Sequence, residues 1–218
     1  MKVKIVLVFI ALFGMPFLVG ADKLSGKVVN GYRVLEISEK QGVMDFTVYR
    51  GDYIKLDHGS EGFHFMIPTM NIHSNLPAGM EDAPYFKMKD TGTFDYSAGS
   101  VKGKIFVIEY QGSGYKLLSA DETQAYIEKS DPLLLDVRTK EEFMQGHLEG
   151  ASLLPVQELQ ARVGELEKYK NQGIMIYCAT GNRSTVASKI LIDHGFKSIS
   201  NMRYGIKDWV QRKKPIVK

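Results

Sequence analysis

The 218-residue sequence has a single cysteine, and that scarcity excludes more than any other feature of its composition. No intramolecular disulfide can form, and no zinc or iron–sulfur site built on several cysteines is available. Charge of one sign is scarce too. There are 28 Lys and Arg against 25 Asp and Glu, a net charge of +3 with no long like-charge run. A nucleic-acid surface would need such a footprint, so no nucleic-acid partner is expected. Apolar residues at 44% and charged residues at 24% match ordinary globular usage, which argues against collagen-like, disordered and polytopic membrane chains. Glycine, by contrast, is plentiful at 21 residues, pointing to turn-rich β structure or tight functional loops.

The first residues read as a leader. Lys2 and Lys4 precede an uncharged apolar stretch of 17 residues from Ile5 to Ala21, ending in Val19-Gly20-Ala21. A basic start, an apolar middle and small residues at the end make up a secretory signal peptide. The stretch is a little short against the ~20 residues that span a bilayer, so cleavage is expected over retention as an anchor. No cysteine lies near the cleavage site, which excludes a lipoprotein. Removing residues 1–21 takes away two positive charges and leaves +1. The expected destination is the periplasm or the exterior.

Two domains are expected, joined at Gln111-Gly112-Ser113-Gly114. Residues 22–111 hold seven short runs rich in Val, Ile, Tyr and Phe: Tyr32–Ile37, Asp45–Tyr49, Tyr53–Leu56, Phe63–Ile67, Tyr85–Met88, Gly92–Tyr96 and Lys104–Tyr110. That pattern predicts an all-β sandwich. After a linker at residues 112–115, residues 116–218 alternate strand and helix patterns, which predicts an α/β domain with a mostly parallel sheet. Ser119-Ala120-Asp121-Glu122 and Thr139-Lys140-Glu141-Glu142 are capping boxes that each open a helix. Leu133–Leu135 and Ile174–Tyr177 read as buried strands. Val156, Leu159, Val163 and Leu166 share one helical face.

The chemistry concentrates in Cys178-Ala179-Thr180-Gly181-Asn182-Arg183-Ser184, between a strand and a helix. In open α/β sheets ligands bind beyond the carboxyl ends of strands. A loop closing there on a helix N-terminus turns several backbone N–H groups inward and cradles an anion. The same donors stabilise a thiolate at Cys178. Arg183 adds a permanent charge with forked donors, and Gly181 lets the backbone curl. The bland reading is a buried structural cysteine. It fits poorly in an exported protein, where a lone thiol invites oxidation.

These residues resemble the rhodanese family of sulfurtransferases, over Leu118 to Trp209. The resemblance rests on Leu133-Leu134-Leu135-Asp136-Val137-Arg138, on Glu142-Phe143, Gly146-His147 and Gly150-Ala151, on Ile176-Tyr177-Cys178 with Gly181, Arg183 and Ser184, and on Tyr204-Gly205 with Trp209. The spacing from Cys178 to Arg183 is C-x4-R, one residue shorter than in the related phosphatases of that fold. The resemblance therefore implies sulfur transfer. Cys178 would take sulfane sulfur from thiosulfate or polysulfide as a persulfide and pass it to cyanide or a thiol. Loop residues Ala179 to Ser184 would hold the anion. Arg138 would either draw the anion in or pair structurally with Asp136, and Asp136 is read as supporting. His147 is read as a structural histidine. No cofactor is implied. A second reading is a sulfane-sulfur carrier that docks to a respiratory sulfur enzyme without turnover.

The first domain resembles cupredoxins through Arg50–Leu56, His64–Pro68, Leu76–Gly79, Gly92–Tyr96 and Gly103–Ile105. A blue-copper site needs a thiolate and two imidazoles. On this resemblance the ligand cysteine falls at Ala98, and the ligand loop is reduced to Gly99-Ser100-Val101-Lys102. The first histidine falls at Phe63, with His64 one place over on the opposite face. The domain is therefore expected to bind no metal and to position the second domain or dock a protein partner.

Overall fold

The computed structural model describes residues 24–29, 31–59, 62–80 and 82–218. The leader expected at residues 1–21 lies outside the described residues. No helix among the described residues is long and apolar enough to cross a membrane.

The amino-terminal half contains nine strands among the described residues: β1 Lys27–Val29, β2 Tyr32–Glu36, β3 Phe46–Tyr49, β4 Tyr53–Asp57, β5 Phe63–Ile67, β6 Ile72–Leu76, β7 Phe86–Lys87, β8 Gly92–Ala98 and β9 Val101–Ile108. They form two mixed sheets, ordered β1-β2-β4-β7 and β3-β9-β8-β5-β6. Each sheet has one parallel pair, β2 with β4 and β3 with β9. Strands β1 and β6 are additions to the seven expected. β1 is a fully exposed edge strand, and β6 carries His73 and Asn75 on its outer face, so neither has a run of apolar residues to announce it. The inward residues of both sheets share one core. Leu35, Ile54 and Leu56 come from one sheet, and Phe65, Ile105 and Val107 from the other. Phe65 and Phe86 join the sheets directly, with ring centroids 4.9 Å apart. Each such side chain contributes roughly 1.5–3 kcal/mol by leaving water.

The carboxy-terminal half comprises β10 Tyr115–Leu118, α1 Ala120–Ser130, β11 Leu133–Asp136, α2 Lys140–Gln145, β12 Ser152–Leu153, α3 Val156–Arg162, β13 Ile174–Tyr177, α4 Asn182–Asp193, β14 Ile199–Met202 and α5 Gly205–Gln211. Its sheet is wholly parallel, ordered β10-β14-β13-β11-β12. Both capping boxes form, at Ser119 and at Thr139. The apolar face read from Val156 to Leu166 begins as α3 and continues as a 3-10 helix over Val163–Tyr169. All four residues of β13 are buried, as a central strand covered on both faces requires. Ile174, Ile176 and Cys178 join the core beside Leu159, Ala187 and Leu191. Met175 and Tyr177 join the opposite core, beside Ala120, Ile206 and Trp209. Period-two alternation on β13 thus fixes the side to which Cys178 points.

The halves meet where the β3–β4 turn, Tyr49 to Asp52, abuts α4. Asp52 is buried and accepts from the Lys189 ammonium at 2.8 Å, from the Arg33 guanidinium and from the Tyr49 amide. Burial alone would raise its pKa, but Lys189 and Arg33 outweigh that and hold it below the ordinary aspartate range. Gly51 sits at φ +93°, and a Cβ there would lie 3.0 Å from the Asn182 carbonyl oxygen. Gly51→Val should therefore strain the turn by about 1–2 kcal/mol and push it off α4. We expect the melting temperature to fall by roughly 2–8 °C in calorimetry. An unchanged transition would show that this contact does not hold the halves together.

Candidate functional site

Cys178 follows β13 directly, at the carboxyl end of the central strand, and the chain turns through Ala179, Thr180 and Gly181 into α4. Two glycines make the turn possible. Gly181 has φ +86°, and a Cβ there would come within 1.8 Å of the Arg203 carbonyl oxygen. Gly205 has φ +64°, and a Cβ there would lie 2.2 Å from the Cys178 carbonyl oxygen. That close approach lets α5 bind the loop. The Ile206 amide donates to the Cys178 carbonyl at 2.8 Å and the Lys207 amide to the Ala179 carbonyl at 3.2 Å. These are amides of the first turn of a helix, which lack partners inside it. With its carbonyls drawn towards α5, the loop turns an amide towards the sulfur. Gly181 N–H donates to Cys178 Sγ at 3.2 Å, and the Ser184 hydroxyl donates at 3.6 Å. Ser184 is fully buried and Cys178 only 1% exposed.

Arg183 is half-buried, and Glu142 grips it with two bonds of 2.7 Å, one to each carboxylate oxygen. Glu142 is also the third residue of the α2 capping box, where it accepts from the Thr139 amide at 3.1 Å. The bonds from Arg183 hold the Glu142 carboxyl at about 2. Partial burial opposes the shift and the Thr139 amide assists it. Arg183 is in turn held charged, first by the bond to Glu142 and then, against partial burial, by the neighbouring Cys178. Both Nη groups of Arg183 are thus committed to Glu142, which fixes the orientation of the guanidinium.

The other residues singled out in the sequence lie further out. Asp136 is fully buried at the end of β11 and accepts from Arg138 through the backbone N–H, Nε and Nη2. Arg138 Nη2 also donates to the Gly146 carbonyl at 2.7 Å. Asp136 is in register with Tyr177, the residue before Cys178, and the Arg138 guanidinium lies 5.8 Å over the Tyr177 ring, so the pair stands on the face of the sheet opposite to Cys178. Thr180 and Asn182 face the first domain. Asn182 Nδ2 donates to Thr180 Oγ1 at 3.4 Å, and Arg50 Nη1 donates to Asn182 Oδ1 at 3.3 Å. His147 stacks on Phe143 with ring centroids 3.7 Å apart, and its Nδ1 is 3.1 Å from the Phe143 carbonyl. In the first domain Ala98 is buried in the core and Gly99-Ser100 make a two-residue hairpin with Gly99 at φ +58°. Phe63 packs against that core, while His64 is exposed and its Nδ1 lies 2.8 Å from Asn75 Oδ1.

Two participants were not legible as site residues. Glu142 carries a capping signal and stands in the Glu142-Phe143 piece of the family resemblance, but nothing in the spacing links it to Arg183, 41 positions on. Arg50 lies 132 positions from Asn182 in a different domain, and only the docking of the halves brings it to the loop.

The model of the rhodanese-like domain matches residues 119–212. A sulfurtransferase of Allochromatium vinosum is 35% identical over 95 residues, covering 44% of this chain and 87% of the relative. A tRNA uridine(34) hydroxylase of Wigglesworthia glossinidia brevipalpis is 30% identical over 144 residues, or 64% of this chain, yet the match spans only 45% of that relative's length. Among solved structures, a rhodanese-related protein from Thermoplasma volcanium is 27% identical with a TM-score of 0.43, covering 47% of this chain and 98% of the other. Through its carboxy-terminal half, with Cys178 as its one cysteine, the chain belongs to the rhodanese-like family of sulfurtransferases.

Proposed function

We propose that the protein moves sulfane sulfur from thiosulfate or a polysulfide to a thiophilic acceptor through a persulfide on Cys178. The observation that carries this reading is the set of donors converging on one sulfur: the Gly181 amide, the Ser184 hydroxyl and, beside them, Arg183 fixed by Glu142. Donors placed in advance stabilise negative charge without reorganising during the reaction. In the first half-reaction the Cys178 thiolate attacks the outer sulfur of thiosulfate. The sulfur–sulfur bond breaks and sulfite departs with its electron pair. The outer sulfur of the resulting persulfide carries the charge that the loop receives. In the second, cyanide or a thiolate attacks that outer sulfur and Cys178 leaves as the thiolate. Asp136 and Arg138 use their polar atoms on each other and on Gly146, which supports a structural role at the end of β11 rather than contact with the anion.

The reading extends to the rest of the chain. Residues 1–21 carry the basic, apolar and small-residue pattern of an export leader, so we place the working protein in the periplasm or outside the cell. The first domain we read as cupredoxin-like without copper. The two mixed sheets, the buried Ala98 and the two-residue Gly99-Ser100 hairpin support that assignment.

Incubation with thiosulfate should add one sulfur, about 32 Da, to the chain at Cys178, and Cys178→Ser should abolish the shift. Intact-mass measurement decides this, and sulfur transfer surviving in the serine variant would refute the assignment. Arg183→Ala should cost about 2–4 kcal/mol of transition-state stabilisation towards thiosulfate. Arg183→Lys should recover little of it, because one ammonium cannot replace two parallel bonds. Wild-type kcat/KM in the lysine variant would contradict this. Glu142→Gln keeps the capping contact but loses the ion pair. Because folding depresses the Glu142 pKa to about 2, its stabilisation is complete above an ordinary glutamate pKa and fades as pH falls below that range towards about 2. The melting-temperature gap between wild type and Glu142→Gln should hold steady from neutral pH down to about pH 5 and narrow below about pH 4. A gap independent of pH down to about pH 2 would rule the pair out as its source.

A further inference from the structure

The active-site loop forms one wall of a cleft between the two domains, with a volume of about 530 Å³. Thr180 and Asn182 stand on the loop side, while the first domain contributes Arg50, Lys89 and Glu109. Two guanidinium groups converge on Glu109. Arg50 Nε donates to both of its carboxylate oxygens, at 3.0 and 3.1 Å, and Arg203 Nε stands 3.7 Å from the nearer one. The arrangement leaves donors over. Arg50 is only 5% exposed, yet its Nη2 has no hydrogen-bond partner among the described residues, and neither does the buried Nε of Arg203. A buried charged donor without a hydrogen-bond acceptor is unfavourable, so Arg50 Nη2 and, beside it, Arg203 Nε mark a place for an incoming acceptor along one cleft.

Size and charge narrow the ligand. Small-molecule sites occupy roughly 300–1,000 Å³, and a five-atom anion such as thiosulfate fills little of such a space. The cleft adds Lys207 to the three cations Arg50, Lys89 and Arg203, but it also carries Asp90, Glu109 and Asp208. Mixed charge of this kind suits a zwitterion better than a simple anion.

We propose that this cleft binds the organic part of the sulfur acceptor, a low-molecular-weight thiol bearing carboxylate and ammonium groups, as in a cysteine-containing peptide, with a carboxylate on Arg50 and Arg203. The proposal rests on the sulfurtransferase reading and assigns the first domain a role in it: Arg50 and Lys89 belong to the β unit yet shape the acceptor site. The bound thiolate attacks the outer sulfur of the Cys178 persulfide. The persulfide sulfur–sulfur bond breaks, Cys178 departs as the thiolate, and the ligand leaves as its own persulfide.

The test separates the cleft from the chemistry. S-methylglutathione cannot accept sulfur, so its titration into the full-length Cys178→Ser protein reads the cleft alone. We expect saturable binding at one site per chain by calorimetry, weakened at least tenfold by Arg50→Gln and by Lys89→Glu. Lys89 is exposed, so its variant should fold even if the Arg50 variant does not. In the active protein, the ratio of kcat/KM for glutathione to that for the neutral 2-mercaptoethanol should fall at least tenfold in Lys89→Glu. Absence of saturable binding, binding unchanged in a folded variant, or both thiols losing rate equally would overturn the cleft assignment. Failure of thiosulfate to modify Cys178 in the wild type would instead overturn the sulfur-transfer reading, and the titration would still judge the cleft.

Discussion

The arrangement depends on backbone polarity around one sulfur atom. Every peptide unit in the loop has a donor end and an acceptor end, and both need partners when buried. The first turn of α5 takes the carbonyls of Cys178 and Ala179, which leaves the Gly181 amide directed at Sγ. Without Gly205 the approach of α5 would be blocked by a side chain 2.2 Å from the Cys178 carbonyl oxygen. Without Gly181 the loop would collide with the Arg203 carbonyl. The set of donors on Sγ is thus a product of helix packing as much as of loop sequence, and the parallel sheet places it at the end of its central strand.

Charge around the loop follows the same economy. Arg183 could have been a free surface cation. Instead Glu142, itself fixed by the α2 cap, orients it with two bonds. A lone exposed guanidinium would spend side-chain entropy on reaching the anion, and a held one has spent it on folding. Asp136 and Arg138 repeat the pattern at the end of β11, where burial makes an unpaired charge untenable and both partners are present.

Much of this was legible in the sequence because the signals were local. The capping boxes at Ser119 and Thr139, the buried strand at Ile174–Tyr177 and the run from Cys178 to Ser184 each carry their physics within a few residues. Edge elements carry less. β6 alternates Ile72, Ser74 and Leu76 with His73 and Asn75 and shows no apolar block, while β12 is two residues long and paired only with β11. What could not be read was any pairing across the fold. Arg50 is an unremarkable turn residue in its own domain, and Glu142 is a helix cap until Arg183 is folded beside it.

The central claim is that Cys178 holds a transferable sulfur inside this donor cradle. A single-turnover experiment tests it most directly: treat the protein with thiosulfate, remove the excess by desalting, add cyanide, and measure thiocyanate against protein. One thiocyanate per chain, released in a burst and absent from Cys178→Ser, is the predicted result. Less than a tenth of an equivalent from a folded protein that still contains the free thiol, or an equal burst from the serine variant, would contradict it.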